Sequence, residues 1–167
     1  MEETVVRTTY LEMMSPSDLK PSTKDVRGFS VSRVSVPCPE LNRFMYEVVG
    51  RDWEWTFRLT WPHERWKTYV LRDTFSTWIA MQEGRTVGFF ELEEQDEGHI
   101  EIKIFGLVPQ FVGKGLGGHM LTQAIRTGWD LGAARVWVHT CTKDAPSALP
   151  NYLARGLRIY KEETGPA

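Results

Sequence analysis

The stretch FGLVPQFVGKGLGGHMLTQAI, residues 105–125, decides how this chain is read. An apolar segment runs into four glycines, Gly113, Gly115, Gly117 and Gly118, and then into a segment where Leu116, Met120, Ala124, Thr127 and Leu131 recur at helical spacing. A strand-to-helix turn of this kind aims free amides and the positive end of a helix dipole into a concavity. That suits a pyrophosphate held without a metal ion. Glycine lets a phosphate come close to those amides, where a side chain would hold it off. The same residues also suit a tight turn that only packs the helix on the sheet.

Two nucleotide readings are excluded. Gly113, Gly115 and Gly118 spell G-x-G-x-x-G, but a dinucleotide fold places that fingerprint after its first strand and wants a carboxylate at the end of the next. Here the loop starts at residue 110 of 167, and the following RVWVHT segment ends in no acid. A triphosphate loop needs Lys-Ser or Lys-Thr, and Lys114 is followed by Gly115.

The chain as a whole bounds the answer. At 167 residues, 41% hydrophobic and 25% charged, residues 1–167 are expected to form one soluble domain with a real core. A net charge of -2 offers no basic footprint for nucleic acid. Cys38 and Cys141 lack metal-ligand spacing and read as reduced thiols, so no metal is expected. No run of 18 apolar residues and no signal pattern occurs, which implies no membrane and a cytoplasmic location. The acidic run Glu91, Glu93, Glu94, Asp96 and Glu97 reads first as a solvated strand end.

Patterning predicts strands at 5–13 and 29–36, a helix over 39–49 closed by Gly50, and a second over 63–72 opened by Pro62. A hairpin is expected at 77–81 and 86–94, split by Glu83-Gly84. Over 99–107, Ile100, Ile102 and Ile104 alternate onto one face, with His99, Glu101, Lys103 and Phe105 on the other. After the glycine loop and its helix come a strand at 135–140, a helix from a cap at Asp144 and Pro146 to Arg155, and a short strand at 157–162. Pro150 sits awkwardly in that last helix. The fold class is α+β with a mixed sheet.

Two motifs then point to one family. The strand, Gln110-x-x-Gly113-x-Gly115 and helix resemble the signature of the GNAT superfamily, the acetyl-CoA-dependent N-acetyltransferases. Downstream, Tyr152-Leu-Ala-Arg-Gly156-Leu157 is similar to the family's Y-x-x-x-G-F ending, and together the motifs cover 99–162. The resemblance implies a mostly antiparallel sheet splayed between the family's fourth and fifth strands. It implies pantetheine along Phe105, Gly106, Leu107 and Val108. It also implies that Gln110 and the amides of Val112, Gly113, Lys114, Gly115, Leu116, Gly117 and Gly118 hold the pyrophosphate. Lys114 adds charge there or is simply solvated.

By the same resemblance Tyr152 is the general acid beside the thioester sulfur, and Glu101 the base, or holder of a basic water, for the amine. Glu91 and Glu93 stand beside Glu101, while His99 and His139 are weaker bases. Relatives carry Asn seven residues before the tyrosine, where this chain has Ala145; Asn151 points elsewhere on the helix and does not replace it. The family chooses its acceptor with the first two helices and their loop. Here Trp53, Trp55 and Glu54, with Asp52, could form an aromatic, acidic pocket for a cationic amine. The implied reaction acetylates a small amine, an amino acid or a peptide N-terminus, in a monomer or a homodimer. The rival reading is a non-catalytic acyl-CoA sensor on the same fold, which would tolerate Tyr152→Phe and Glu101→Gln.

Overall fold

In the computed structural model, which describes residues 4–167, the period-two segments become strands and the segments of helical spacing become helices. In chain order these are β1 (Val5–Met13), β2 (Phe29–Arg33), α1 (Pro39–Gly50), α2 (His63–Val70), β3 (Phe75–Gln82), β4 (Arg85–Glu94), β5 (His99–Leu107), α3 (Leu116–Asp130), β6 (Arg135–Cys141), α4 (Ala148–Ala154) and β7 (Arg158–Pro166). The strands form one sheet in the order β2-β3-β4-β5-β6-β1-β7. Every neighbouring pair is antiparallel except β5 and β6. The class is therefore mixed α+β, as expected, and the last strand is longer than the pattern suggested because β1 pairs with it from Val5↔Pro166 to Glu12↔Arg158.

Each face of the sheet buries its own layer. On one face α3 lays Met120, Leu121, Ala124 and Ile125 against Leu11, Leu92, Ile100, Ile102, Val136 and Val138, all 2% exposed or less. Burying side chains of this size stabilises the fold by about 1.5–3 kcal/mol each. On the other face α1 sets Met45 and Val49 on Phe89, while Tyr46 joins Trp61, Trp66, Val70 and Phe75 in an aromatic cluster with α2.

Two expectations about β5 and α4 are corrected. Ile104 does not share a face with Ile100 and Ile102. Glu91 pairs with Ile104 and Leu92 with Ile102, so Lys103 is an extra residue with no partner on β4. This bulge turns the alternation over: Ile100 and Ile102 join the α3 core with Phe105 and Leu107 behind them, and Ile104 packs on the opposite side. Asp144 does not cap α4, which starts at Ala148 after Ser147. Its carboxylate is taken instead by Thr140 Oγ1 (2.6 Å), the Cys141 amide (3.0 Å) and Trp55 Nε1 (3.1 Å). Pro150 is then the third helical residue, where its missing N–H breaks no helical bond.

The bulge coincides with a parting of the sheet. β5 and β6 pair from His99↔Arg135 to Ile102↔Val138 and no further. Beyond that point β5 stays bonded to β4 as far as Leu107, and β6 stays bonded to β1 as far as Cys141. A wedge opens between them, and the α1–α2 connection, residues 51–62, hangs over it.

Arg58 pins that connection. Its guanidinium is buried and donates to Glu91 Oε1 (2.8 Å) and to the Tyr69 hydroxyl (3.1 Å), while Asn42 Nδ2 donates to Glu91 Oε2 (2.8 Å). The rings of Tyr46, Trp61, Trp66 and Tyr69 surround it, with centroids 4.6–5.9 Å from Cζ. Glu91→Ala would leave this cation buried and unpaired, a loss of about 3–5 kcal/mol. Urea unfolding should show that loss, and the double replacement Arg58→Met with Glu91→Leu should recover most of it.

Candidate active site

The wedge continues into a cleft of about 910 Å³ that runs from the glycine loop to the α1–α2 connection. Its floor is residues 102–107 of β5 on one side and Val138, His139 and Cys141 of β6 on the other. Phe105, Gly106, Leu107, Val112, Gly113, Gly115, Gly117 and Gly118 all line it. Val108 does not: it packs against Met45, Val49 and Phe89. Leu116 is buried in the α3 core, and Gln110 and Lys114 are exposed outside the cleft, Lys114 near the ring of Phe111.

At the loop end, the first N–H groups of the 15-residue α3 have no partner within the helix. Gly115 is left-handed (φ 76°), and a side chain there would strike the Lys24 ammonium. A side chain at Gly118 would strike the Arg155 guanidinium. Lys24 Nζ donates to the Lys114 carbonyl (2.8 Å), and Arg155 Nε is buried without a partner. Free amides meet two cations beside Gly115 and Gly118, one of them with an orphaned donor; neither cation lines the cleft itself, and the donor set fits a phosphate pair at its edge. Sequence reasoning missed Lys24 and Arg155. Lys24 lies 90 residues from the loop in a proline-rich segment, and no spacing rule connects them.

Mid-cleft, Tyr152 of α4 is 5% exposed, lines the cavity and meets the ring of Phe105 edge-on (6.2 Å). Burial, reinforced by the nearby Asp144 charge, raises its phenol well above the usual tyrosine range. The group therefore holds its proton throughout the neutral range. Ala145 also lines the cleft and leaves its wall apolar. Asn151, expected to point away, faces the cleft beside Gly117.

Glu101 departs from the expectation of direct contact. It is 2% exposed and does not line the cleft. Oε2 accepts from Gln95 Nε2 (2.9 Å) and lies 3.2 Å from Lys103 Nζ; Oε1 lies 3.3 Å from His139 Nδ1 without an aligned hydrogen bond. Gln95 also donates to Glu93, and Arg72 donates to Glu93 (2.8 Å). Burial pushes the Glu93 carboxyl up, but these bonds and the Lys103 charge outweigh it and hold it below the ordinary value. Glu91 is committed to Arg58, and His99 lies outside the cleft.

At the far end Trp53, Glu54 and Trp55 line the cleft with Phe57, Trp61 and Tyr69. Asp52 does not. Arg58, paired with Glu91, and Arg65 line that end beside Glu54, so both signs of charge are present there. Arg65 rests on Trp61, 4.4 Å from its ring centroid. Among the described residues no cluster of His, Cys, Asp or Glu is placed to hold a metal ion, and no helix is long and apolar enough to cross a membrane.

The model of the Acetyltransferase (GNAT) family matches residues 42–157, most of the chain. The chain belongs to the GNAT acetyltransferase family. The fold has solved counterparts. One is a functionally unknown conserved protein from Staphylococcus epidermidis (19% identity, TM-score 0.71, covering 96% of this chain and 60% of that one). Another is a GCN5-related N-acetyltransferase from Kribbella flavida (18%, TM-score 0.62, 95% and 56%). A third is an aminoglycoside acetyltransferase from an uncultured soil metagenomic sample (20%, TM-score 0.59, 80% and 93%). At these identities the likeness is one of fold. This GNAT chain spans little more than half the length of the first two. The comparison with curated proteins finds no match.

Tyr69 behaves as Tyr152 does: burial raises its phenol above the usual range, against the lowering effect of Arg58. A folded-state value above the unfolded one gives stability that is complete below about pH 10 and is lost as pH rises further. The melting temperature should therefore hold steady from pH 8 to about 10 and fall beyond it. Tyr152→Phe should make that fall shallower when thermal unfolding is followed across pH 8–12.

Proposed function

We propose that residues 1–167 form one acetyltransferase domain that moves an acetyl group from acetyl-CoA directly to a primary amine, in the cytoplasm and without a metal. The observation that carries this reading is the continuity of the cleft. One opening joins the glycine cradle, the buried Tyr152 and the aromatic end under the α1–α2 connection. Acetyl-CoA supplies an activated thioester carbonyl.

The chain supplies grip, alignment and proton control. The amides at the start of α3, with Lys24 and Arg155, hold the pyrophosphate. The unpaired inner edge of β5, Phe105 to Leu107, offers backbone N–H and C=O groups to the amide-bearing pantetheine arm. Tyr152 keeps its proton and presents it to sulfur as charge develops there. Burial makes it a poorer acid than a free phenol, so its contribution is a hydrogen bond that strengthens toward the transition state. On the opposite side the attacking amine, ordinarily protonated near pH 7, has to lose a proton. The Glu101 carboxylate stands behind that part of the wedge, 3.2 Å from Lys103 Nζ and 3.3 Å from His139 Nδ1.

A small amine, an amino acid or a peptide N-terminus fits the cleft's dimensions. The mixed charge at its far end favours acceptors that carry a carboxylate beside the amine over purely cationic ones. Tyr152→Phe should lower the rate of thiol release from acetyl-CoA by about 10²–10⁴-fold. Its acetyl-CoA binding, read by thermal shift, should stay within a few-fold of wild type. Absence of acetyl-CoA binding by the wild-type protein would overturn the proposal, and so would full activity of Tyr152→Phe.

A further inference from the structure

His139 stands where the two strands part. Its register partner across the wedge would be Lys103, but pairing has stopped one residue earlier at Ile102↔Val138. The imidazole is therefore free to face the opening. It lines the cleft, its side chain is 43% exposed, and it is not tied to any backbone group of β5. Behind it stands the buried Glu101 carboxylate, with Nδ1 3.3 Å from Oε1.

Oε1 is the telling atom. It is fully buried and has no hydrogen-bond partner, while Oε2 is occupied by Gln95 and Lys103. Gln95 is itself fixed, because Trp137 Nε1 donates to its Oε1 (3.0 Å). A carboxylate oxygen left bare in the interior costs energy unless something donates to it when the site is at work. Two titratable donors of the cleft wall stand against Glu101: Lys103, engaged with Oε2, and His139, 3.3 Å from the bare Oε1. Hydrogen bonds of catalytic groups are often long or misaligned before substrate binds.

From this juxtaposition we infer that His139 is the group that takes the proton from the acceptor amine, with Glu101 as a positioning residue behind it. The inference rests on the acetyltransfer reading above. Nδ1–H donates to Glu101 Oε1, which fixes the tautomer and leaves the Nε2 lone pair turned to the cleft. As the amine nitrogen bonds to the acetyl carbon, its proton passes to Nε2. The C–S bond breaks, and the electron pair leaves on sulfur against the Tyr152 hydroxyl. The exposed side of the imidazole then returns the proton to water. Lys103, which also lines the cleft, is engaged with the other carboxylate oxygen, Glu101 Oε2 (3.2 Å). The remaining charged or titratable groups around the ring are Tyr10 of β1, 5.5 Å away by ring centroids, and Lys143 and Asp144 along the cleft. Asp144 is engaged by Thr140, Cys141 and Trp55.

The test is the pH dependence of kcat for thiol release at saturating amine, where ionisation of the free amine drops out. Wild type should show a rising limb. His139→Gln should lower kcat by about 10²–10³-fold and remove the limb. Glu101→Gln should keep a limb, because the imidazole is still present, but lower kcat through the loss of the group that orients Nδ1–H. Thermal unfolding checks that the buried Glu101→Gln variant is folded. A second readout needs no turnover: the imidazole signals of His139 in ¹⁵N-resolved NMR should show an Nδ1–H tautomer in wild type that Glu101→Gln disturbs. A limb that survives in His139→Gln but vanishes in Glu101→Gln would make Glu101 the direct base and overturn the inference while leaving acetyl transfer intact. Acetyl-CoA binding without thiol release in wild type would overturn both readings.

Discussion

The rest of the site depends on one constraint, that β5 and β6 stop pairing after Ile102 and Val138 while each keeps its outer neighbour. Strand edges inside a sheet normally satisfy each other. Here residues 103–107 and 139–141 keep theirs open, so the interior of the sheet offers donors and acceptors to a ligand without either strand coming loose. The bulge at Lys103 is the local means. One extra residue bends β5 away and transfers Ile104 to the face of α1 and α2. Tyr152, the α3 amides and His139 are all placed with respect to the wedge that results.

The two ends of the cleft are held by different forces. At the loop end it is backbone shape and charge, with glycines, a helix start and cations that arrive from residues 24 and 155. At the far end it is a buried ion pair, with Arg58 inside four aromatic rings and neutralised by a carboxylate from the middle of the sheet. A buried ion pair is weak evidence for stability in itself, but breaking one side of it is costly. The pair therefore fixes the position of the connection over the cleft more than it adds to the stability of the whole. Changes among Trp53, Glu54, Phe57 and Arg65 can alter the acceptor end while that anchor stays in place.

What the sequence disclosed follows the range of the forces involved. The glycine loop, the helix after it and the Tyr152–Gly156 spacing are local patterns, and each is found where periodicity puts it. Strand alternation read Ile100 and Ile102 correctly and failed at Ile104, because a bulge inserts a residue without leaving a mark in composition. Asp144 looked like a helix cap since Asp before Pro is a common opening; three donors from β6 and the α1–α2 connection claim it instead. Glu101 was placed on the right strand and the right face, yet neighbours distant in sequence, Gln95 and His139, decide that it lies behind the cleft wall. Arg58 and Lys24 carried no local signal at all.

The position of β1 has a consequence of another kind. This strand lies between β6 and β7, bonded to Cys141 and its neighbours on one side and to residues 158–166 on the other. The sheet cannot close until segments some 120 to 160 residues apart have met. Such non-local pairing makes folding slow, because the entropy of closing long loops is lost before the contacts form. During synthesis the hairpin of β3 and β4 can form as soon as it emerges, while β1 waits as an unpaired strand until β6 has been made. An unpaired strand edge is a template for pairing with another chain, and that interval leaves one open.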